Sequence, residues 1–200
     1  SEFAQILDLD PWLFQVDTEL FENFDVSDDQ SRQQLADAVE NVLQRVDKKH
    51  KEHKVDDPPF VFVKNNAGTY GLGVIQVKSA KEVLEWTYNS RKKMKAQKGG
   101  GQFHEVIVQE GIPTVVKSGN STAEPTVYMV GNQLAGGFLR AHDQKDEKES
   151  LNSPGAVYKR LCLSDLKINT EGCPLENVYG WVAKMGVLAI GRETEQMGIK

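Results

Sequence analysis

From Phe60 to Val77 an apolar, β-branched run ends in Lys64, passes through Gly68, Gly71 and Gly73, and enters a second apolar run at Val74. Short β-branched and aromatic runs on either side of a turn-rich segment predict a strand, a glycine loop and a returning strand. Glycines let a backbone approach a ligand closely and leave N–H groups able to bond phosphate oxygens, and Lys64 puts a positive charge at the base of the loop. The spacing G-x-x-G-x-G excludes a dinucleotide-binding G-x-G-x-x-G, and a lysine placed before the glycines on a strand excludes a P-loop. A tight hairpin with no ligand would share the glycine spacing. The strand-borne Lys64 favours an anion.

Around this hairpin the periodicities change several times. Leu35, Val39, Val42 and Val46 recur at helical spacing from Asp28 to about Lys54, predicting one amphipathic helix ended by Asp57-Pro58-Pro59. Ser79 and Glu82 form a capping-box pair for a helix through Val83, Leu84 and Trp86 that is expected to reach Ala96 and stop at Gly99-Gly100-Gly101. EVIVQE (Glu105 to Glu110), AEPTVYMV and NQLAGGFLR read as three strands of one antiparallel sheet, the last two joined by a Gly131-Asn132 turn. A charged loop from Asp143 to Ser153 and an amphipathic helix from Asn177 to about Met197, through Val178, Trp181, Val182, Met185 and Leu188, complete the chain. The expected class is α+β. Residues 1–27 read as a linker or interdomain segment in which DLDPWLF (Asp8 to Phe14) is an ordered connection packing on a neighbour, with Trp12, Leu13 and Phe14 given no obvious partner, and 28–200 as one nucleotide-binding, catalytic region.

With 200 residues and no apolar run near the ~20 needed to span a bilayer, neither staples nor a membrane is expected. A net charge of -5 argues against a nucleic-acid partner, since phosphate-backbone affinity needs clustered cations. The local cations, Lys48 to Lys54 and Arg91 to Lys98, read as solvated helix faces. Cys162 and Cys173 lack a zinc or nucleophile pattern, and without a secretory signal the chain reads as cytoplasmic. His50, His53 and His104 read as solvated, and His142 as a polar contact. The start at Ser1-Glu2-Phe3 without Met reads as a piece of a protein that continues N-terminally.

The pattern K-x-x-x-G-x-x-G-x-G between two strands resembles the first nucleotide-binding element of the ATP-grasp enzymes, and FVFVKNNAGTYGLGV is most similar to the proteobacterial type of glutamate–cysteine ligase. The likeness continues through EVIVQEGI, where that fold has its adenine hinge, then AEPTVYMV, GGFLRAH and the Asn-containing SLNSPGA. It covers roughly Asp8 to Arg192.

The resemblance implies two lobes clasping ATP, with glutamate and cysteine as substrates and a further N-terminal domain as partner. It implies that Lys64 and the loop Gly68, Thr69, Tyr70, Gly71 and Gly73 hold the ATP phosphates, and that the Gln109, Glu110, Gly111 and Ile112 stretch meets adenine. Arg140 would stabilise charge on the transferring phosphate or the acyl phosphate, a task suited to a guanidinium's rigid fork of donors, and Asn152, on the family's Asn-containing loop, would serve turnover with it. An ion pair with Asp143 or Glu149 is the structural alternative for Arg140. Magnesium needs oxygen ligands, for which Glu124, Glu149, Asn152 and Asp143 are the candidates by position. The family's late E-x-N is absent, which keeps open a nucleotide-binding module without chemistry, or a ligase for other amino acids or peptides.

Overall fold

The computed structural model describes residues 2–68, 71–96, 104–161 and 175–198, and the chain divides into two compact units, Ser1–Ile112 and Pro113–Lys200. No described helix is long and apolar enough to cross a membrane.

In the first unit a short helix α1 (Glu2–Leu7) and a 3-10 turn at Pro11–Leu13 lead to strand β1 (Thr18–Phe21) and the long helix α2 (Asp29–His53). Asp28 caps α2 by accepting the Ser31 amide at 2.7 Å, and Lys54 ends it in the left-handed region, φ 56°. The predicted stripe Leu35, Val39, Val42 and Val46 is fully buried, as heptad-like spacing on one face requires. It packs on a sheet of β1, β2 (Val61–Asn65), β3 (Val74–Val77) and β4 (Val106–Glu110), all antiparallel in the order β1-β4-β2-β3. Val61, Val63, Val106 and Val108 point into this core. Each fully buried aliphatic side chain contributes roughly 1.5–3 kcal/mol.

Two expectations change here. The helix expected from Ser79 to Ala96 is two, α3 (Ala80–Leu84) and α4 (Tyr88–Met94), because Trp86 turns into the core and Thr87, in extended conformation, caps the second by accepting the Ser90 amide. Ser79 makes no capping hydrogen bond, and the Glu82 carboxylate accepts from the Lys78 amide instead. The segment before Asp28, read as a linker or interdomain segment, supplies the edge strand β1, paired from Thr18 opposite Gln109 to Phe21 opposite Val106.

The second unit is a sheet of β5 (Lys117–Ser118), β6 (Ser121–Val130), β7 (Gln133–His142) and β8 (Val157–Arg160), followed by helix α5 (Leu175–Gln196). EVIVQE is therefore not in one sheet with the β6–β7 hairpin. Its partners β1 and β2 occupy both of its edges, so no hydrogen-bonding side is left for a later strand. The hairpin turn is as predicted: Gly131, φ 58°, takes the first central position between Val130 and Gln133. Val116, Ala123, Leu139 and Ala141 make a small core on which Leu161 and Tyr179 of α5 pack. Val182 and Leu188, expected on the inward stripe of this helix, are exposed.

Candidate functional site

Strand alternation puts Thr18, Leu20, Phe62, Lys64, Ile107 and Gln109 on the face of the first sheet opposite α2. Lys64 sits half-buried there, 5.7 Å from the centre of the Phe62 ring, and donates to Gln109 Oε1. Among the described residues no carboxylate lies in ion-pair range of it. Burial lowers its pKa, since losing water disfavours the charged form. Other cations of the same unit face carboxylates: Arg32 pairs with Asp29, Arg45 with Asp17 and Glu19, and Lys49 with Asp10 and Glu52.

The glycine loop beyond Lys64 is organised by Asn65, a residue that motif reading passed over. Asn65 is 4% exposed. Its amide donates to the Gly73 carbonyl at 2.8 Å, its carbonyl accepts from Gly68 at 2.9 Å, and its side chain accepts from Ala67 and donates to the Met94 carbonyl. Gly68 and Gly73 are sterically required, because a Cβ would lie 2.6 Å from the Leu72 carbonyl oxygen at the first and 2.6 Å from Asn65 Cβ at the second. The amides of Asn66, Ala67 and Gly68 are taken by Glu105 and Asn65, so the expectation of phosphate-binding amides passes to 69–73, of which Thr69 and Tyr70 lie outside the described residues.

The hinge stretch is also more engaged than expected. The Glu110 amide donates to the Asp17 carbonyl and the Gly111 amide to the Phe60 carbonyl, each at 2.8 Å, so neither is available to an adenine ring. The Glu110 carboxylate, 2% exposed, accepts from Trp12 Nε1 at 3.0 Å and from the Asp17 amide at 2.9 Å. Trp12 thus has a partner after all, and it stacks on His53, 4.8 Å between centroids, while Leu13 and Phe14 are exposed as expected. Gly111 passes so close to Phe60 that a Cβ would meet ring atoms at 2.1 Å. Ile112 is exposed.

His50 and His53 are not simply solvated. His50 Nδ1 meets the Asp57 carbonyl, and His53 meets Asp10. Asp10, Glu52 and His53 form a cluster with metal-like spacing, but the Lys49 ammonium already bonds both carboxylates. That lysine holds the Asp10 carboxyl well below the usual carboxylate range, helped by the Trp12 amide. Asp10, Trp12, Lys49 and Glu52 line a cleft of about 670 Å³ in which Arg45 and Lys49 are paired with acids. A second cleft of about 390 Å³ runs beside Tyr88, Arg91, Lys92 and Lys95, the solvated face expected for α4.

In the second unit Arg140 stands directly across the ladder from Glu124 and bonds it at 2.5 Å, so its ion-pair partner is neither Asp143 nor Glu149. Arg140 Nε is buried with no partner among the described residues. Both oxygens of Glu149 are engaged, by Lys145 Nζ and the Asp146 amide, which lowers its pKa, the lysine first. Asp143 accepts from Ser121 Oγ. His142, 3% exposed, receives the Gln144 amide at Nδ1, so its proton is on Nε2, which donates to the Pro154 carbonyl at 3.1 Å and pins the Asn152 loop. Asn152 is half-buried on that loop. The structure therefore brings together Lys64 with Gln109, and Arg140 with Glu124. Cys162 and Cys173 lie outside the described residues.

The chain is thus α+β with antiparallel sheets, and its glycine hairpin carries a lysine that faces no carboxylate among the described residues. A profile of the family GshA, glutamate-cysteine ligase, matches residues 1–194, and the chain belongs to that family. The chain is 33% identical, at a TM-score of 0.80, to a crystal structure from Methylobacillus flagellatus KT provisionally named gamma-glutamylcysteine synthetase. The match covers 98% of this chain and 48% of that one, so the chain spans about half of its neighbour's length. Among curated proteins there is no significant match.

Proposed function

We propose that the chain is the nucleotide-binding, catalytic half of an ATP-grasp ligase that joins glutamate to cysteine. Lys64 carries this reading. A half-buried ammonium held by a neutral amide loses hydration without gaining a counter-charge, and a polyanion is the ligand that supplies one. Phe62, Ile107 and Leu20 on the same face offer apolar surface beside it. The residues fit the phosphates of ATP.

The chemistry runs in two displacements. A γ-carboxylate oxygen of glutamate attacks the terminal phosphorus of ATP, the bond to the bridging oxygen breaks, and ADP leaves with that electron pair. The amine of cysteine then attacks the acyl carbon, phosphate leaves, and the amide bond remains as the amine loses its proton. Lys64 holds phosphate oxygens through this sequence. Arg140, with the buried donor at Nε, and Asn152 are the candidates for steadying charge on the acyl phosphate. Magnesium would offset phosphate charge when bound; of the carboxylates named for it, Glu124 is paired with Arg140 and both oxygens of Glu149 are engaged, while Asp143 has one oxygen bonded to Ser121 and would be left, with Asn152, to hold the ion. Those engaged carboxylates favour one second reading, a module that binds nucleotide without turning it over.

Thermal denaturation with and without millimolar Mg-ATP is the first test. A bound ligand raises apparent stability by RT ln(1 + [L]/Kd), so the melting temperature is expected to rise. Incubation with glutamate, cysteine and Mg-ATP is the second, following ADP and dipeptide together. The protein at the full length of its neighbour is expected to release both, and this chain alone to bind ATP without forming dipeptide. No thermal shift overturns the nucleotide reading, and binding without turnover by the full-length protein leaves the non-catalytic one.

A further inference from the structure

A directed chain of hydrogen bonds crosses β1, β4 and β2 and ends at Lys64. The Val16 carbonyl only accepts, so the Thr18 hydroxyl donates to it, at 3.3 Å. Thr18 Oγ1 then presents a lone pair to Gln109 Nε2, at 3.1 Å. That fixes the amide with its oxygen turned toward Lys64, whose ammonium only donates. Both ends of the chain agree on the orientation of the Gln109 amide, which hydrogen-bond partners alone must decide. The ladder makes the contact possible: Gln109 lies opposite Thr18 on one side and Phe62 on the other, and Lys64 is its diagonal neighbour.

We propose that Gln109, oriented by Thr18, is a positioning residue that holds the Lys64 ammonium in place while leaving its charge uncompensated for a nucleoside polyphosphate. The choice of anion rests on the function proposed above; the hold on the lysine does not. A carboxylate at position 109 would grip the ammonium more firmly and cancel its field, as the carboxylates facing Arg32, Arg45 and Lys49 do. A neutral oxygen constrains the same atom and leaves it able to attract an anion. Thr18 makes the arrangement one-directional, since an amide turned over would set two donors, its own NH2 and the ammonium, against each other.

The test separates the two parts. In the nucleotide-free chain, pH-dependent competitive acylation read by mass spectrometry gives the titration of Lys64 in the parent, Gln109→Glu, Thr18→Val and Thr18→Ser, with circular dichroism confirming each fold. Gln109→Glu is expected to move the half-reactive pH of Lys64 upward by about one unit, the scale of a single added charge pair. Thr18→Val, which unties the amide, is expected to raise the reactivity of Lys64 at neutral pH, and Thr18→Ser, which keeps the hydroxyl, to restore the parental profile. Identical profiles in all four overturn the proposal. Calorimetric titration with Mg-ATP then reads the charge: Gln109→Glu is expected to bind about tenfold more weakly, a difference of ~1.4 kcal/mol. Unchanged affinity in a variant whose Lys64 titration has moved overturns the idea that the amide spares charge for the ligand. If no form binds ATP while the titrations move as expected, Gln109 keeps its hold on Lys64 and the nucleotide reading falls.

Discussion

Lys64 in the first unit and Arg140 in the second are both strand-borne cations singled out for work on phosphate, and they are held in opposite ways. Lys64 touches a neutral amide and lacks a carboxylate among the described residues, whereas Arg140 faces Glu124 across its own ladder. Residue type and motif position therefore do not fix how much positive field a side chain offers. Its neighbours do: Lys64 retains its charge at the cost of burial, and Arg140 shares its charge with Glu124 while its buried Nε has no partner among the described residues.

The largest expected effect separates these two cations directly. At a nucleotide concentration of ~100 Kd, binding adds about 2.7 kcal/mol of apparent stability. Thermal denaturation should show this gain abolished in Lys64→Ala and largely kept in Arg140→Ala; an equal loss in both would erase the contrast. Next comes a pair of glycines. Gly111→Ala, which drives a Cβ into the buried Phe60 ring, is expected to destabilise by about 1–3 kcal/mol in urea denaturation. Gly186→Ala in α5 meets open space and should be neutral or stabilising by up to ~1 kcal/mol.

A pH titration sharpens the comparison further, through the Lys64 ammonium. The folded pKa of Lys64 is lowered, so it deprotonates before a lysine at the ordinary 10.5. Nucleotide affinity should fall as pH rises through that lowered value. In the free chain the unfolded state binds the extra proton in the window between the lowered value and 10.5, so the Lys64 contribution to stability becomes less unfavourable as pH rises across it. Affinity that stays flat up to pH 10.5 would count against Lys64 as the phosphate ligand. The smallest effect belongs to Glu124→Gln, which breaks a partly exposed pair and should change stability by less than ~1 kcal/mol in urea denaturation.

Much of the fold was legible because its signals are local. α2, the Phe60–Val77 hairpin, β4 and the Gly131 turn each announce themselves by period, cap or turn residue within a few positions. What escaped was decided at a distance. Nothing near Trp86 says that its ring will enter the core and break a helix, and β-strand patterns do not say which of two sheets a strand joins. The site divides in the same way. Lys64 and the glycines were visible as a motif, while Gln109 was noticed for its backbone when its side chain holds the lysine. Thr18, 91 residues from Gln109, and Trp12, 98 residues from Glu110, carry no sign of their partners in the sequence around them.

Asn65 closes the glycine loop from both ends, through its own amide to Gly73 and through its carbonyl and side chain to Gly68 and Ala67. The turn from Asn65 to Gly68 therefore has a fixed length. One residue more or fewer between them could not keep both the Ala67 bond to the side chain and the Gly68 bond to the carbonyl. Among relatives that share this hairpin, change between Asn65 and Gly68 is expected as substitution and not as insertion or deletion.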